Sequence, residues 1–348
     1  MLFQPLFVKG GPSRQPGDGA RKTFAGNAIP QPLTIGVLSN PRSGGNKRGI
    51  GTIRDFVTAD PGVRYGEAVT SAEVEAVLAD FAVRGVDFLV VNGGDGTIQA
   101  VLTTVFGRRI FPRAPILALL QAGTASMIAR DVGVCGQPLA ALLKIRDWCD
   151  RPEKNVSAIH ECPVLHVCQQ ANPKAQCGMF FGAGAISRGI ELAHGSMNPN
   201  GLRGELIPGL IMIRLLLAVY TGNERLFSPT HMRISIDKGP SVRGQYLFAL
   251  VSTLERLFLG LHPFWGTEQA PLHFTAVTLN PFRLLLNLPF LLRGRRTASV
   301  SRKNGYVSHN TPRITLNFRG SFTLDGEIYE AVSPVTIEPV GPARFLKI

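Results

Sequence analysis

The sequence predicts an α/β domain built on a parallel sheet, followed by a β-rich domain of antiparallel, sandwich-like character. Three observations predict it. Between Leu33 and about Ser157, apolar strand-like runs alternate with helical stretches, and such alternation builds a parallel sheet with helices on both faces. Three strands in this stretch each end in a loop rich in glycine or hydroxyl residues. After about Ala158 the texture changes to closely spaced β-like runs. The domains expected are therefore a disordered leader (1–31), a parallel-sheet domain (32–157) and a β-rich domain (158–348) whose extreme C-terminus can return to the parallel-sheet domain.

In chain order, Met1 to Gln31 is rich in Gly, Pro, Arg and Lys with weak periodicity, which predicts disorder. "LTIGVLSN", Leu33 to Asn40, is a β-branched run ending in turn residues, and "PRSGGNKRG" follows as a glycine-rich loop. Val74, Val77, Leu78 and Phe81 recur at helical spacing. Thr70 with Glu73 forms a capping box before them, and Gly85 suits the position after the helix. "DFLVVN" is a second buried strand, and Ile98, Val101, Leu102 and Val105 give another helical stripe. "PILALL" is a third strand, leading into "QAGTASMIARDVG", a loop and a short helix. Beyond it, "AIHECPVLHVC", "MFFGAGA", "MRISI", "QYLFALVS", "LHFTAVTL", "RITLNF", "FTLDGE" and "VTIEPV" read as strands, interrupted by the apolar "LIPGLIMIRLLLAVY".

The 348 residues suffice for two domains, and 45% apolar content is that of a globular protein. A formal charge of +13 favours anionic partners: nucleotide phosphates, nucleic acid or an anionic membrane face. The five cysteines are odd in number and lack a C-x-x-C pair, which points to reduced thiols in a cytoplasm-like compartment. No stretch has the length and apolarity of an uninterrupted transmembrane helix, and no signal pattern is evident. No nucleic-acid reading motif is present.

The chemistry concentrates at "VVNGGDGTIQAVL", Val90 to Leu102. Glycines let the backbone approach a ligand, and N–H groups at a helix start bind phosphate. Gly93, Gly94 and Gly96 stand at such a junction; Thr97 adds a hydroxyl. Asp95 is unusual beside an anion unless a divalent cation or proton transfer is involved. A simple turn is the alternative. The spacing is neither G-x-G-x-x-G nor G-x-x-x-x-G-K-[ST], and no G-x-S-x-G elbow exists. "SNPRSGG" and "AGTAS" stand at the other strand ends, where ligands of parallel sheets bind.

Taken with "LDGE" near the C-terminus, "NPRSG", "GGDGT" and the later "GT" resemble the diacylglycerol kinase catalytic domain family, which includes bacterial lipid kinases and, more distantly, sphingosine kinases. The resemblance implies ATP as co-substrate with Mg²⁺, and a lipid hydroxyl as acceptor. It implies that Asn40, Pro41, Arg42, Ser43 and Gly44 line the phosphates, with Gly93, Gly94, Asp95, Gly96 and Thr97. It adds Thr70, which also serves as a cap, and Gly123 with Thr124. Glu327 matches the family's general base, otherwise a turn residue; Asp95 and Asp325 would organise Mg²⁺, Asp95 through the nucleotide-bound ion, or polarise the nucleophile. Two departures stand out. The family's G-T-x-N-D becomes Gly123-Thr124-Ala125-Ser126-Met127, and an Asp-Gly pair that holds a structural Mg²⁺ in bacterial members is Ala270-Pro271.

His160, Cys162, His166 and Cys168 share one strand face, but ligands spread along one strand do not close a tetrahedron, so strand-core roles are expected. Asn280 to Arg296 combines Leu and Phe with arginines, which suits an anionic membrane interface, the alternative being a core helix with terminal arginines. The expected protein is a cytoplasmic, peripherally membrane-associated lipid kinase. A soluble-substrate kinase of the NAD kinase type and a non-catalytic nucleotide- and membrane-binding protein are the alternatives.

Overall fold

The structure, a computed structural model, describes residues 33–123, 127–150, 158–195, 229–257, 260–332 and 334–348. The leader, Thr124, and the apolar run Leu206 to Tyr220 lie outside the described residues.

The first half is a four-stranded parallel sheet with strand order β2-β1-β3-β4: β1 (Ile35–Ser39), β2 (Val63–Glu67), β3 (Phe88–Gly93) and β4 (Ile116–Gln121). Phe88, Leu89, Val90 and Val91 are fully buried, as a central strand covered on both faces requires, and each such side chain contributes roughly 1.5–3 kcal/mol of burial. The chain leaves β1 in one direction, through α1 (Ile50–Thr58) to β2, and leaves β3 in the other, through α3 (Asp95–Leu102) and a π-turn (Thr103–Gly107) to β4. The crevice between the β1 and β3 loops is thus the point where the strand order reverses, the usual ligand position of an open α/β sheet.

Three strands were legible in the sequence, and they are β1, β3 and β4. The fourth, β2, escaped because it is an edge strand whose "VRYGE" is only partly buried and carries no apolar run. Helix α2 (Ser71–Val83) has the expected capping box: Thr70 Oγ1 accepts from Glu73 N at 3.3 Å, and Glu73 Oε2 accepts from Thr70 N at 3.1 Å. Helix α4 (Met127–Val132) packs in the core of α2 and α3 on one face of the sheet, and α5 (Pro138–Cys149) with α1 on the other.

The remaining strands are antiparallel among themselves. β5 (Ile159–Gln169) pairs with β6 (Asn172–Gly178); β7 (Phe180–Gly184), which leads into α6 (Ala185–Gly195), pairs with β9 (Val242–Ser252). β9 also pairs with β8 (Thr230–Ile236) and β10 (Leu272–Thr278). Between β10 and β11 (Tyr306–Thr311) sits a short helix, α7 (Leu284–Leu291). β12 (Ile314–Asn317), β13 (Gly320–Leu324), β14 (Glu327–Ala331) and β15 (Val335–Leu346) finish the chain. β15 runs along β5, then lays Phe345 beside Leu117 of β4, parallel to it, so the last residues return to the first sheet. His166 and Cys168 contact each other at 3.3 Å on β5, while Cys162 is buried in the core.

Candidate functional site

Three loops meet at the carboxyl ends of β1, β3 and β4, and hydrogen bonds stitch them together. Asn40 N donates to Asn92 O at 2.9 Å, and Asn40 Nδ2 donates to Thr97 Oγ1 at 2.9 Å. Asn40 Oδ1 accepts from Arg42 N at 2.9 Å, which turns the loop back on itself. Asn46, buried beneath, donates to both Asn40 O and Asn92 O, at 2.8 and 3.0 Å. Ser43 Oγ accepts from Gly94 N at 3.1 Å, and Gly45 N donates to Ala122 O at 2.9 Å. The sequence places asparagines and small hydroxyls here because each can satisfy backbone groups that no helix or strand completes.

The opposite wall comes from the hairpin β13–β14. Its two-residue turn is Asp325-Gly326, both at positive φ (51° and 94°), the conformation for which Asp-Gly is favoured. Asp325 is buried, and its carboxylate accepts from Met179 N and Phe180 N at 2.8–3.1 Å, which clamps the turn against the junction of β6 and β7. Burial pushes its pKa well above the ordinary range, against the opposing pull of those N–H groups. With the turn fixed, the exposed Glu327 reaches across to the glycine loop, and a Cβ built on Gly96 would collide with its Oε1.

Between the walls lies a cavity of about 530 Å³. Asn40, Arg42, Ser43, Thr70, Gly94, Gly96, Thr97 and Glu327 all line it. Among the described residues, the other expected ones are outside its lining. Pro41, Gly44, Gly93 and Gly123 belong to the same loops without lining the cavity, and Asp325 sits beneath its turn. Asp95 points elsewhere: its two oxygens accept from Met127 N and Ile128 N, at 3.2 and 3.3 Å, at the start of α4. Burial raises its pKa, opposed by the same two N–H groups. The contact falls at Met127, where the sequence lacks the acidic residue of the resembled motif.

Sequence reasoning missed Val69, Ser71, Val74, Gln99, Ala100 and Tyr329 in the lining. Tyr329 had a signal, since it lies two residues after Glu327 and so on the same strand face. Burial and the neighbouring Glu327 charge push its phenol pKa up to about 12, so it stays protonated. Gln99 had none, being a polar residue on a helix that otherwise reads as core.

The cradle fits a polyphosphate: helix-start backbone, hydroxyls of Ser43 and Thr97, and the Arg42 guanidinium. Among the described residues no cluster of His, Cys, Asp or Glu could hold a metal by itself. Where Ala270-Pro271 departs from the expected pattern, the nearby Glu268 accepts from Asn310 N and pairs with His309, both at 2.9 Å. Burial pushes its pKa up, but these partners outweigh it and hold it down to about 2.

Residues 34–154 match the profile of the diacylglycerol kinase catalytic domain. A probable lipid kinase YegS-like protein of Stenotrophomonas maltophilia (strain K279a) is 34% identical over 114 residues, a match spanning 31% of this chain and 36% of that protein. Among solved structures, the fold is similar to a putative diacylglycerol kinase from Bacillus anthracis str. Sterne, with a TM-score of 0.63 and 16% identity, covering 91% of this chain and 98% of that one. A diacylglycerol kinase structure from the same strain has a TM-score of 0.59, again with 16% identity and the same coverage of both chains.

Proposed function

We propose, on the match of residues 34–154 to the diacylglycerol kinase catalytic domain, that the protein transfers the γ-phosphoryl group of ATP to a hydroxyl of a lipid such as diacylglycerol or a sphingoid base. The observation that carries this reading is the contact of Glu327 with Gly96 across one cavity. It brings a carboxylate from the β-rich half against the phosphate-type loop of the parallel-sheet half.

The choice of base follows from the partners of each candidate. Asp325 is buried, with its oxygens engaged by backbone N–H groups. Asp95 holds the start of α4. Tyr329 remains protonated at neutral pH. Glu327 is exposed and lines the cavity, so it takes the acceptor's proton, while Asp325 positions the turn that presents it. Ser43, Thr97, Gly94 and Arg42 orient the phosphates; phosphoryl transfer needs little beyond such positioning, charge and one proton acceptor. Magnesium fits as a companion of the nucleotide phosphates rather than a resident ion, and would supply charge there.

Incubating the purified protein with radiolabelled ATP and a lipid panel tests the proposal. The expected result is a labelled lipid, with Glu327→Gln lowering kcat by about 10²–10⁴-fold while leaving nucleotide binding intact. No labelled lipid from any hydroxyl acceptor, or near-normal turnover by Glu327→Gln, would overturn it.

A further inference from the structure

We propose that α7 and its arginine-rich flanks form the face by which this protein lies on an anionic lipid bilayer. The inner side chains of the helix, Leu284 and Leu291, pack with Val277, Val300 and Tyr306. Its outer side chains do not pack inward: Leu285 is 43% exposed, Leu286 67% and Phe290 42%, with Phe282 just before the helix at 49%. Among the described residues, nine large apolar side chains are exposed; four fall within Phe282–Phe290, and the other five are scattered along the chain. Concentrating them on one short helix leaves an apolar patch of the kind that marks an interaction surface.

The projection is held in place from beneath. Asn287, buried on the inner side of α7, donates to Phe282 O at 2.9 Å and to Tyr306 Oη at 3.3 Å. Ser299 Oγ donates to Asn287 Oδ1 at 2.5 Å, Asn304 Nδ2 to Ser299 O at 2.8 Å, and Tyr306 Oη to Phe282 O at 2.7 Å. This network ties both ends of the insertion to β11, so the outer leucines and phenylalanines are presented on a fixed platform.

Charge selects the occupant. Arg283, Arg293, Arg295, Arg296, Arg302 and Lys303 are all exposed around the patch, and Arg283 lies over the Phe282 ring at 4.9 Å. No Asp or Glu occurs between Glu268 and Asp325. An apolar face whose own segment carries arginines and lysine but no carboxylate complements acyl chains beneath anionic headgroups. A second copy on this face would set arginine against arginine, and nucleic acid would leave Leu285 and Leu286 without a partner. No helix among the described residues is long and apolar enough to cross a membrane.

The patch is distinct from the cavity. β10 ends at Thr278 opposite Tyr246, on the side where Gly184 faces Phe248, whereas the Asp325-Gly326 turn lies at the other end, beyond the Phe181–Leu324 pair. Substitutions on α7 therefore leave the cavity intact. The inference deepens the lipid-kinase reading, yet its readout does not require turnover.

The full-length protein is floated, without nucleotide, with vesicles of phosphatidylcholine alone and of phosphatidylcholine with phosphatidylglycerol. The expected result is flotation with the anionic vesicles, weakened by salt. Leu286→Glu with Phe290→Glu, and separately Arg295→Glu with Arg296→Glu, lower it by at least about tenfold at unchanged melting temperature. Equal flotation of the variants, equal binding to neutral vesicles, or wild-type protein left in solution would overturn the proposal. So would a dimer dissociated by Leu286→Glu, or nucleic-acid binding lost in Arg295→Glu with Arg296→Glu, where no flotation occurs. Turnover on a short-chain, monomeric lipid acceptor is measured in parallel. Flotation without turnover removes the kinase reading alone, and turnover without flotation removes the docking face alone.

Discussion

Gly96 lies in the first turn of α3, where alanine would favour the helix by up to about 1 kcal/mol. A methyl there would meet the Glu327 carboxylate, the mobile end of an exposed side chain. Gly96→Ala should therefore leave the melting temperature unchanged or raise it, while cutting turnover at least about tenfold by displacing Glu327. Unchanged turnover would mean that the contact plays no part in catalysis. Asp325 gives a second test at this scale. Burial raises its pKa above the unfolded value of about 4. The folded chain then keeps a proton that the unfolded chain has lost, and stability from this group falls as pH rises above that value. Asp325→Asn keeps an acceptor for Met179 N and Phe180 N and removes the titration. Urea denaturation from about pH 5 to 8 should show a flatter stability profile for the variant than for the wild type; parallel profiles would contradict this account.

Helix α2 shows one residue serving two levels. Thr70 caps the helix and also lines the cavity, beside Val69 and Val74. Thr70→Ala should cost about 1 kcal/mol through loss of the cap. Thr70→Asp keeps a good cap, and therefore stability, but sets a negative charge at the phosphate cradle. ATP affinity measured by calorimetry should fall several-fold for Thr70→Asp at near-wild-type melting temperature. Equal ATP affinity would leave Thr70 a cap and nothing more.

Across the whole molecule, β15 joins the two halves. Ala343 and Phe345 are buried in the core on one face of the parallel sheet, and Leu346 in the core on the other. Phe345 also pairs with His160 of β5, so the same strand holds the antiparallel half. Phe345→Ala should destabilise the protein by about 3–5 kcal/mol, lowering a single melting transition shared by both halves. A variant that melts in two steps, with the parallel-sheet half unaffected, would show that β15 does not couple them.

The sequence alone carries the features whose causes are local. Periodicity and a capping box defined α2 between Thr70 and Gly85, continuous apolar runs marked β1, β3 and β4, and glycines with hydroxyls marked the loops that must converge where parallel strands end. It did not reveal β2, because an edge strand such as "VRYGE" is only partly buried and needs no apolar run. Nor could it tell that Asp95 holds the start of α4 and Asp325 clamps the β6–β7 junction, because a carboxylate's partner depends on which backbone N–H groups tertiary packing brings near. Asn280 to Arg296 was ambiguous for the same reason. Its composition suits a core helix or an interface, and only packing, which buries Leu284 and Leu291 and leaves Leu285, Leu286 and Phe290 outside, decides which side chains face solvent. The approach of Glu327 to Gly96 is the furthest from sequence reach: the two lie in different halves of the chain, and only the pairing of β13 with β7 and β14 brings them to one cavity.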